Sequence, residues 1–344
     1  MLSSPLGDGR AMHWGEPTAC TPPPSSAPSH TRPSRSGIVL HALSWNLHGA
    51  PSAGPMDARL GHIAGEILRR HPDLVLVQEL WFADDARRLQ DALSTHYLRV
   101  ADDPQVSDSW LSRLTGLRRG GLLAFVAHAS AWRPEGPSRF ERFRAGPPWW
   151  RSLLAQGDGL AEKGVQSFTL VRPGVRIGIA NTHLQARYAA SAADVRQDAE
   201  IRARQVAQLL HDVAPERDAA ATLLFGDFNL YPNEGPYRQL TRDWVDLTRG
   251  LQCPTCATRL SRSGRSGGWV DYAFASAALG IKLDPHMTMI TNTAVDCPYS
   301  DHHGLELLVG IEAHGAGATG AARGAMPDSR EGIAPVVPTT TRTR

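Results

Sequence analysis

At six places in the chain, residues able to bind a metal or a phosphate lie at the end of a short apolar run or just before one. Asn46 follows Leu43-Ser44-Trp45, and Glu79 follows Leu74-Val75-Leu76-Val77 and Gln78. Asn181 and His183 follow Ile177-Gly178-Ile179-Ala180, and Asp227 and Asn229 follow Leu223-Leu224-Phe225. Asp271 follows Trp269-Val270, and Asp301, His302 and His303 precede Leu305-Glu306-Leu307. Any one of these has a bland explanation, because polar groups at strand ends cap, turn or face water. Together they form a set of Asp, Asn, Glu and His residues suited to one kind of chemistry. Glu79 is the best single metal ligand, since a hard carboxylate suits Mg²⁺ or Mn²⁺. There is no His-Glu-x-x-His motif and no four-residue Cys/His set, which argues against zinc. No Gly-x-Ser-x-Gly elbow supports a serine nucleophile, and no Gly-x-x-x-x-Gly-Lys loop supports a nucleotide site. Hydrolysis of a phosphate ester, assisted by a hard cation and by histidine, is the reaction class that remains.

The stretch Leu223 to Pro232 is the most informative of these. An apolar run from Thr222 to Phe225 ends at Gly226, with Asp227 and Asn229 close behind. Residues two apart on a strand point to the same side, so Asp227 and Asn229 are expected to share a space while Phe228 packs the other way. A charged acceptor beside an amide suits a phosphate, a metal or an attacking water. An Asx turn at a strand end accounts for the same residues.

The elements that must position these residues alternate. Strands are expected over Ile38–Leu47, Leu74–Val77, Leu122–Ala127, Val165–Val171, Arg176–Leu184, Thr222–Phe225, Val270–Ala275, Met287–Ile290 and Leu305–Ile311. Helices are expected over Met56–Arg70, Asp84–Leu93, Ala192–Val213 and near Pro236–Leu240. In the first helix, Leu60, Ile63, Ala64, Ile67 and Leu68 make one apolar face, and His71-Pro72 ends it. The later strands come without helices between them, so two packed sheets flanked by helices fit better than a single doubly wound sheet.

Of the 344 residues, 42% are hydrophobic and 20% charged, enough for one large core or for two smaller domains. Residues 1–37 and 314–344 are rich in Pro, Ser, Gly, Ala and Thr and are expected to be disordered tails around one catalytic domain, 38–313. The net charge of +2 supplies no bulk electrostatic case for a nucleic-acid binder. Four cysteines are too few for a disulfide scaffold of this size, and Cys253-Pro254-Thr255-Cys256 has no second pair to complete a zinc site. No stretch reaches the roughly 18 apolar residues of a membrane span. No apolar leader precedes the domain, so the expected location is cytoplasmic, or secreted if the start lies elsewhere.

The motifs Ser44-Trp45-Asn46, Val77-Gln78-Glu79, Asn181-Thr182-His183-Leu184, Gly226-Asp227-Phe228-Asn229, Val270-Asp271-Tyr272 and Ser300-Asp301-His302, in this order, resemble the endonuclease/exonuclease/phosphatase superfamily. That superfamily includes DNase I-like nucleases, inositol phosphatases and neutral sphingomyelinases. The resemblance implies a four-layer α/β sandwich of two packed mixed β-sheets flanked by helices, with the site at one end of the sheets. It implies that Glu79 holds Mg²⁺, or Mn²⁺ in its place, with Asn46 nearby. Asp227 would orient or deprotonate the attacking water, Asn229 contact the phosphate, and His183 hydrogen-bond it. His302 would act as acid/base or phosphate donor, supported by Asp271, and Asp301 would serve the metal or orient its neighbours.

Glu162-Lys163-Gly164-Val165 resembles the Lys-Gly-Val element of the neutral sphingomyelinase branch, which makes Lys163 a substrate-binding candidate. Lys163 opening a β-turn on a solvated edge is the alternative. Thr182-His183-Leu184-Gln185-Ala186-Arg187-Tyr188 is similar to the same branch. The expected partner is a phosphoester, with a phospholipid at a membrane surface ahead of nucleic acid, and the chain is expected to be a monomer. Trp269-Val270 departs from the Arg-Ile of many relatives, and no secretion signal is visible. Two aromatic segments, one with Phe140, Phe143, Pro147, Pro148, Trp149 and Trp150, the other with Trp110, Leu111, Leu114, Leu117, Arg118 and Arg119, suit either a lipid interface or a packed lid.

Overall fold

Side chains alternate along the first strand, Ile38–Asn46, as a strand requires: Leu40 and Ala42 turn one way, Leu43 and Trp45 the other. Both sets are buried, so the strand is covered on both faces. The computed structural model of the chain describes residues 37–49, 56–100, 116–147, 162–187, 191–213, 218–249, 251, 255, 268–278, 281–290 and 299–313. Its elements in order are β1 (Ile38–Asn46), α1 (Met56–Arg70), β2 (Leu74–Gln78), α2 (Ala83–Leu93), β3 (Tyr97–Arg99), β4 (Leu123–Ala127), β5 (Arg133–Arg142), β6 (Gly164–Arg172), β7 (Val175–His183), α3 (Ala192–Asp212), β8 (Ala221–Asp227), α4 (Gly235–Asp243), β9 (Val245–Asp246), β10 (Asp271–Ala277), β11 (Ile281–Ile290) and β12 (Gly304–Ala313).

Two six-stranded sheets result, ordered β11-β12-β1-β2-β4-β3 and β5-β6-β7-β8-β10-β9. Both repeat one pattern, a parallel pair flanked on each side by antiparallel neighbours. The parallel pairs are β1 with β2 and β7 with β8. Each is joined by a crossover containing one helix, α1 or α3, as parallel pairing demands.

Three buried clusters make four layers. Leu40, Ala42, Leu74, Leu76, Ala124 and Val126 of the first sheet meet Phe168, Leu170, Ile177, Ile179, Leu223 and Phe225 of the second. The outer face of the first sheet, with Leu43, Trp45, Val75 and Val77, packs on Leu60, Ile63, Ala64 and Ile67 of α1 and on Leu89 and Leu93 of α2. The outer face of the second, with Ala180, Leu224 and Phe274, packs on Val206 and Leu209 of α3 and on Tyr237 and Leu240 of α4. The four-layer α/β sandwich expected from the motifs is the observed architecture.

Three strands escape the sequence reading. β3 and β9 are too short for alternation to register. β5 is a mostly exposed edge strand with Pro134, Gly136 and Pro137 inside it and a register shift between Glu135 and Arg139, all of which a sheet edge tolerates. Phe140 lies in β5, and Phe143 is buried in the core under α3, so neither forms an exposed lipid-facing loop. Arg118 is likewise buried, donating to the carbonyls of Leu80 and Leu122. Pro148, Trp149, Trp150, Trp110, Leu111, Leu114, all four cysteines and, Gly37 apart, both tails lie outside the described residues. Among those described, no helix is long and apolar enough to cross a membrane.

Candidate active site

The face of each central strand that looks into the space between the sheets becomes polar at one common end. Leu40 and Ala42 lead to Ser44 and Asn46 in β1, and Leu74 and Leu76 to Gln78 in β2. Ile177 and Ile179 lead to Asn181 and His183 in β7, and Leu223 and Phe225 to Asp227 in β8. β10 runs antiparallel to β8, so its first residue, Asp271, stands opposite Asp227. Carboxyl ends of parallel strands are where sites in α/β proteins form. Asn46, His183, Asp227, Asp271 and His302 are all buried and therefore need partners.

The deepest contacts join the two sheets. Gln78 Nε2 donates to Asn181 Oδ1 at 2.7 Å and to Ser44 Oγ at 3.1 Å. Asn181 Nδ2 donates to the Val77 carbonyl at 3.1 Å. One step outward, Asn46 Nδ2 donates at 3.0 Å to both Glu79 Oε1 and Asp227 Oδ2. Asn46 Oδ1 accepts the His48 N–H at 3.0 Å.

Asp227 is the centre of the cluster. Its Oδ2 lies 3.5 Å from His183 Nε2 and 3.8 Å from His302 Nε2. Burial, and then the neighbouring Asp271 carboxylate, push its pKa up to about 7. His302 and Asp271 form a close pair, Nδ1 to Oδ2 at 2.7 Å, which turns His302 Nε2 toward Asp227. The loop carrying His302 is tied to β1, where Ser300 Oγ donates to the Asn46 carbonyl at 2.6 Å and Trp45 Nε1 to the His302 carbonyl at 3.1 Å.

Lys163 is buried, not solvated. Its ammonium donates to the Leu184 carbonyl at 2.8 Å and contacts His183 Nε2 at 3.0 Å. An ammonium has no lone pair, so His183 Nε2 is the acceptor and the imidazole is neutral. Burial first, then the Lys163 charge, hold the His183 pKa well below its ordinary value.

Glu79 follows β2 in a left-handed conformation, φ 59°, and its side chain keeps 17% exposure. Burial would raise its carboxyl, but the His48 hydrogen bond, with the His48 charge and the Asn46 amide, holds it below the usual carboxylate range. Asp301 is pushed up by burial. Its Oδ2 is 3.3 Å from His48 Nδ1 and its Oδ1 is 3.8 Å from His302 Nε2.

The fold thus gathers Asn46, Glu79, Lys163, His183, Asp227, Asp271, Asp301 and His302 in one cleft. Asn229 is nearby, but strand alternation does not put it there. β8 ends at Asp227, and Asn229 sits in a left-handed turn, φ 50°. Its N–H donates to Asp227 Oδ1 at 2.9 Å, the Asx turn of the bland reading, and its Nδ2 donates to the Leu184 carbonyl at 3.3 Å. Phe228 does pack away from the site, in the cluster under α3 and α4. His48 and Ser300 are site residues that the strand-end pattern missed. His48 lies two residues past a strand end, and Asn46-Leu47-His48-Gly49 was the available signal.

The donor set fits a hard divalent cation. Ligand atoms of Glu79, His183 and Asp227 lie within 4.8 Å of one another, as do those of Asp227, Asp271 and His302. Crowded carboxylates with raised affinities for protons, Asp227 and Asp301, are what a cation relieves.

Solved structures share this architecture. D. rerio TDP2 complexed with a single-strand DNA product is 18% identical, with a TM-score of 0.58 over 79% of this chain and 98% of that one. Sphingomyelinase C from Streptomyces griseocarneus is 18% identical, with a TM-score of 0.56 over 79% and 99%. A beta toxin from Staphylococcus aureus is 15% identical, with a TM-score of 0.58 over 78% and 99%. By sequence, no curated protein matches the chain. A family model does match, over residues 43–302, from the strand that carries Asn46 to His302 itself. With that span and the cleft it encloses, the chain belongs to the Endonuclease/Exonuclease/phosphatase family.

Proposed function

We propose that the chain is a divalent-cation-dependent phosphodiesterase that releases the head group of a phospholipid by in-line attack of water. Family membership carries phosphoester hydrolysis. Lys163 supports the narrower reading. A lysine that merely opened a turn would extend its ammonium into water. Instead the charge lies inside the cleft on His183, where a non-bridging phosphate oxygen needs it.

Asp227, at the centre of the cluster between His183 and His302, is placed to take the proton of the attacking water. Asn46 and the Asn229 N–H hold both of its oxygens in place. His302, with Nδ1 committed to Asp271, presents Nε2 to the same space and delivers a proton to the leaving oxygen. Lys163, His183 and Asn229 line the side where the phosphate oxygens sit. Glu79, with Asp227 beside it, would hold Mg²⁺ or Mn²⁺, which would supply stabilisation of the charge that develops on phosphate, and Asp301 would orient His48 and His302.

A nuclease is the second reading, favoured by the likeness to TDP2 complexed with a DNA product. The two separate in one assay. With Mg²⁺ or Mn²⁺ present, the purified protein should release phosphocholine from sphingomyelin vesicles and leave single-stranded DNA intact. DNA cleavage without head-group release would overturn the lipid reading. Glu79→Ala and His302→Ala should each keep the fold and lose turnover, the latter by about 10²–10⁴-fold; a near-normal rate in either means the role is misassigned.

A further inference from the structure

We propose that a cavity beside Lys163 receives the head group during hydrolysis, and that Gln185 and Arg144 make it favour a hydroxylated, uncharged head group over a quaternary ammonium. The inference rests on the phospholipid reading above and narrows it.

The cavity has a volume of about 190 Å³, and its walls include Arg142, Arg144, Glu162, Lys163, Gln185 and Gln205. Lys163 belongs to both spaces: it lines the cavity, and its ammonium contacts His183 Nε2 in the cleft at 3.0 Å. A phosphate held at that ammonium has the cavity next to it, within reach of one of its ester groups.

The walls are positive. Glu162, the acidic member of the six, is already paired, with Arg119 Nε at 2.7 Å and Arg142 Nη1 at 2.9 Å. Arg144 is exposed and makes no ion pair among the described residues. A quaternary ammonium here meets like charge. It also lacks the aromatic cage that such cations favour, since Phe143, the aromatic residue at the wall, is packed into the core under α3.

The amides point to a hydroxyl. Gln205 is committed at both ends: its Oε1 accepts the Gln185 N–H at 2.8 Å, and its Nε2 donates to the Ala145 carbonyl at 2.9 Å. Gln185 is not. It is fully buried, and its Nε2 donates to Asp198 Oδ1 at 3.4 Å. A carboxylate accepts, so that contact sets which way the amide faces. Gln185 Oε1 is left buried with no hydrogen-bond partner. A buried acceptor in that state costs free energy that an arriving donor recovers. A hydroxyl supplies the donor, whereas a fully methylated ammonium has no N–H to give. The hydroxyl oxygen can in turn accept from the Arg144 guanidinium.

Vesicles of equal parts phosphatidylglycerol and phosphatidylcholine present both head groups on one diacylglycerol backbone and at one surface charge. With Mg²⁺ or Mn²⁺ present, the full chain should release glycerol phosphate at least about tenfold faster than phosphocholine, the discrimination of a site that hydrogen-bonds a substrate hydroxyl. Gln185→Leu should bring the ratio toward one by slowing release of glycerol phosphate. Arg144→Glu should bring it toward one by speeding release of phosphocholine, and at an exposed position it decides the matter should Gln185→Leu not fold. Equal rates in wild type, or a ratio that the folded variants leave unchanged, overturns the assignment and leaves Gln185 Oε1 to a buried water. Release of neither head group overturns the phospholipid reading beneath it.

Discussion

Asp271 sets what His302 can do. With Nδ1–H donated to Asp271 at 2.7 Å, the ring has one tautomer when neutral, with its Nε2 lone pair facing the cleft. Asp271→Asn keeps the shape but offers an amide that favours the opposite tautomer. It should lower kcat by at least about 10²-fold with little change in Tm; a small change in kcat would show that the pair is structural. The next residue, His303, makes a different prediction. Burial, then the His302 charge, push its pKa down to about 4 from 6.5. The unfolded chain therefore takes up this proton before the folded chain does. Its contribution to stability is complete above pH 6.5 and is lost as the pH falls from 6.5 toward 4, at up to about 1.4 kcal/mol per pH unit. His303→Gln should flatten Tm against pH across that window; parallel profiles for the two proteins would put the acid sensitivity elsewhere.

At the scale of the element, β8 shows how closely the sheet must approach its neighbour to deliver a carboxylate. Gly226 has φ 145°, and a Cβ there would meet the Thr182 carbonyl oxygen of β7 at 1.9 Å. The residue is glycine because both the backbone angle and the space exclude anything larger. Gly226→Ala should cost more than about 1 kcal/mol in urea unfolding and displace Asp227 with it, so activity falls as well. An alanine variant of wild-type stability would mean that the close approach is not needed. Helix α1 was legible to the residue, Met56–Arg70, because an apolar stripe every three or four residues and a terminal Pro72 leave little freedom. β5 was not, because an exposed edge with two prolines carries no alternation to read.

At the scale of the molecule, the cleft exists only where the two sheets meet. Asn46 and Glu79 come from one sheet, His183, Asp227 and Asp271 from the other. The Gln78–Asn181 bond is the buried polar join beneath them. Asn181→Ala strands a buried amide and should cost roughly 1–3 kcal/mol. The double variant Gln78→Leu/Asn181→Leu replaces both partners with apolar groups and should regain much of that stability. It should not regain turnover, because the strand ends lose their relative alignment. Recovery of both would show that the join contributes stability alone.

The sequence by itself determined where the chemistry lies along the chain. Strand alternation carries the inter-sheet face of β1, β2, β7 and β8 into polar residues at one end, and that period is local and visible in a list of residues. Two later features, Asp271 and Ser300-Asp301-His302, were legible as motifs. Only the tertiary structure decided which of these residues meet. Asn46 donates to Asp227 across 181 positions of sequence, and Trp45 to His302 across 257. It also decided that Lys163 is buried against His183, that Asn229 reaches the site through a left-handed turn, and that His48 faces Glu79 and Asp301. Those depend on turns whose dihedral angles are imposed by distant partners such as Arg59, which donates to the Leu47, His48 and Tyr299 carbonyls, and no local period in the sequence records them.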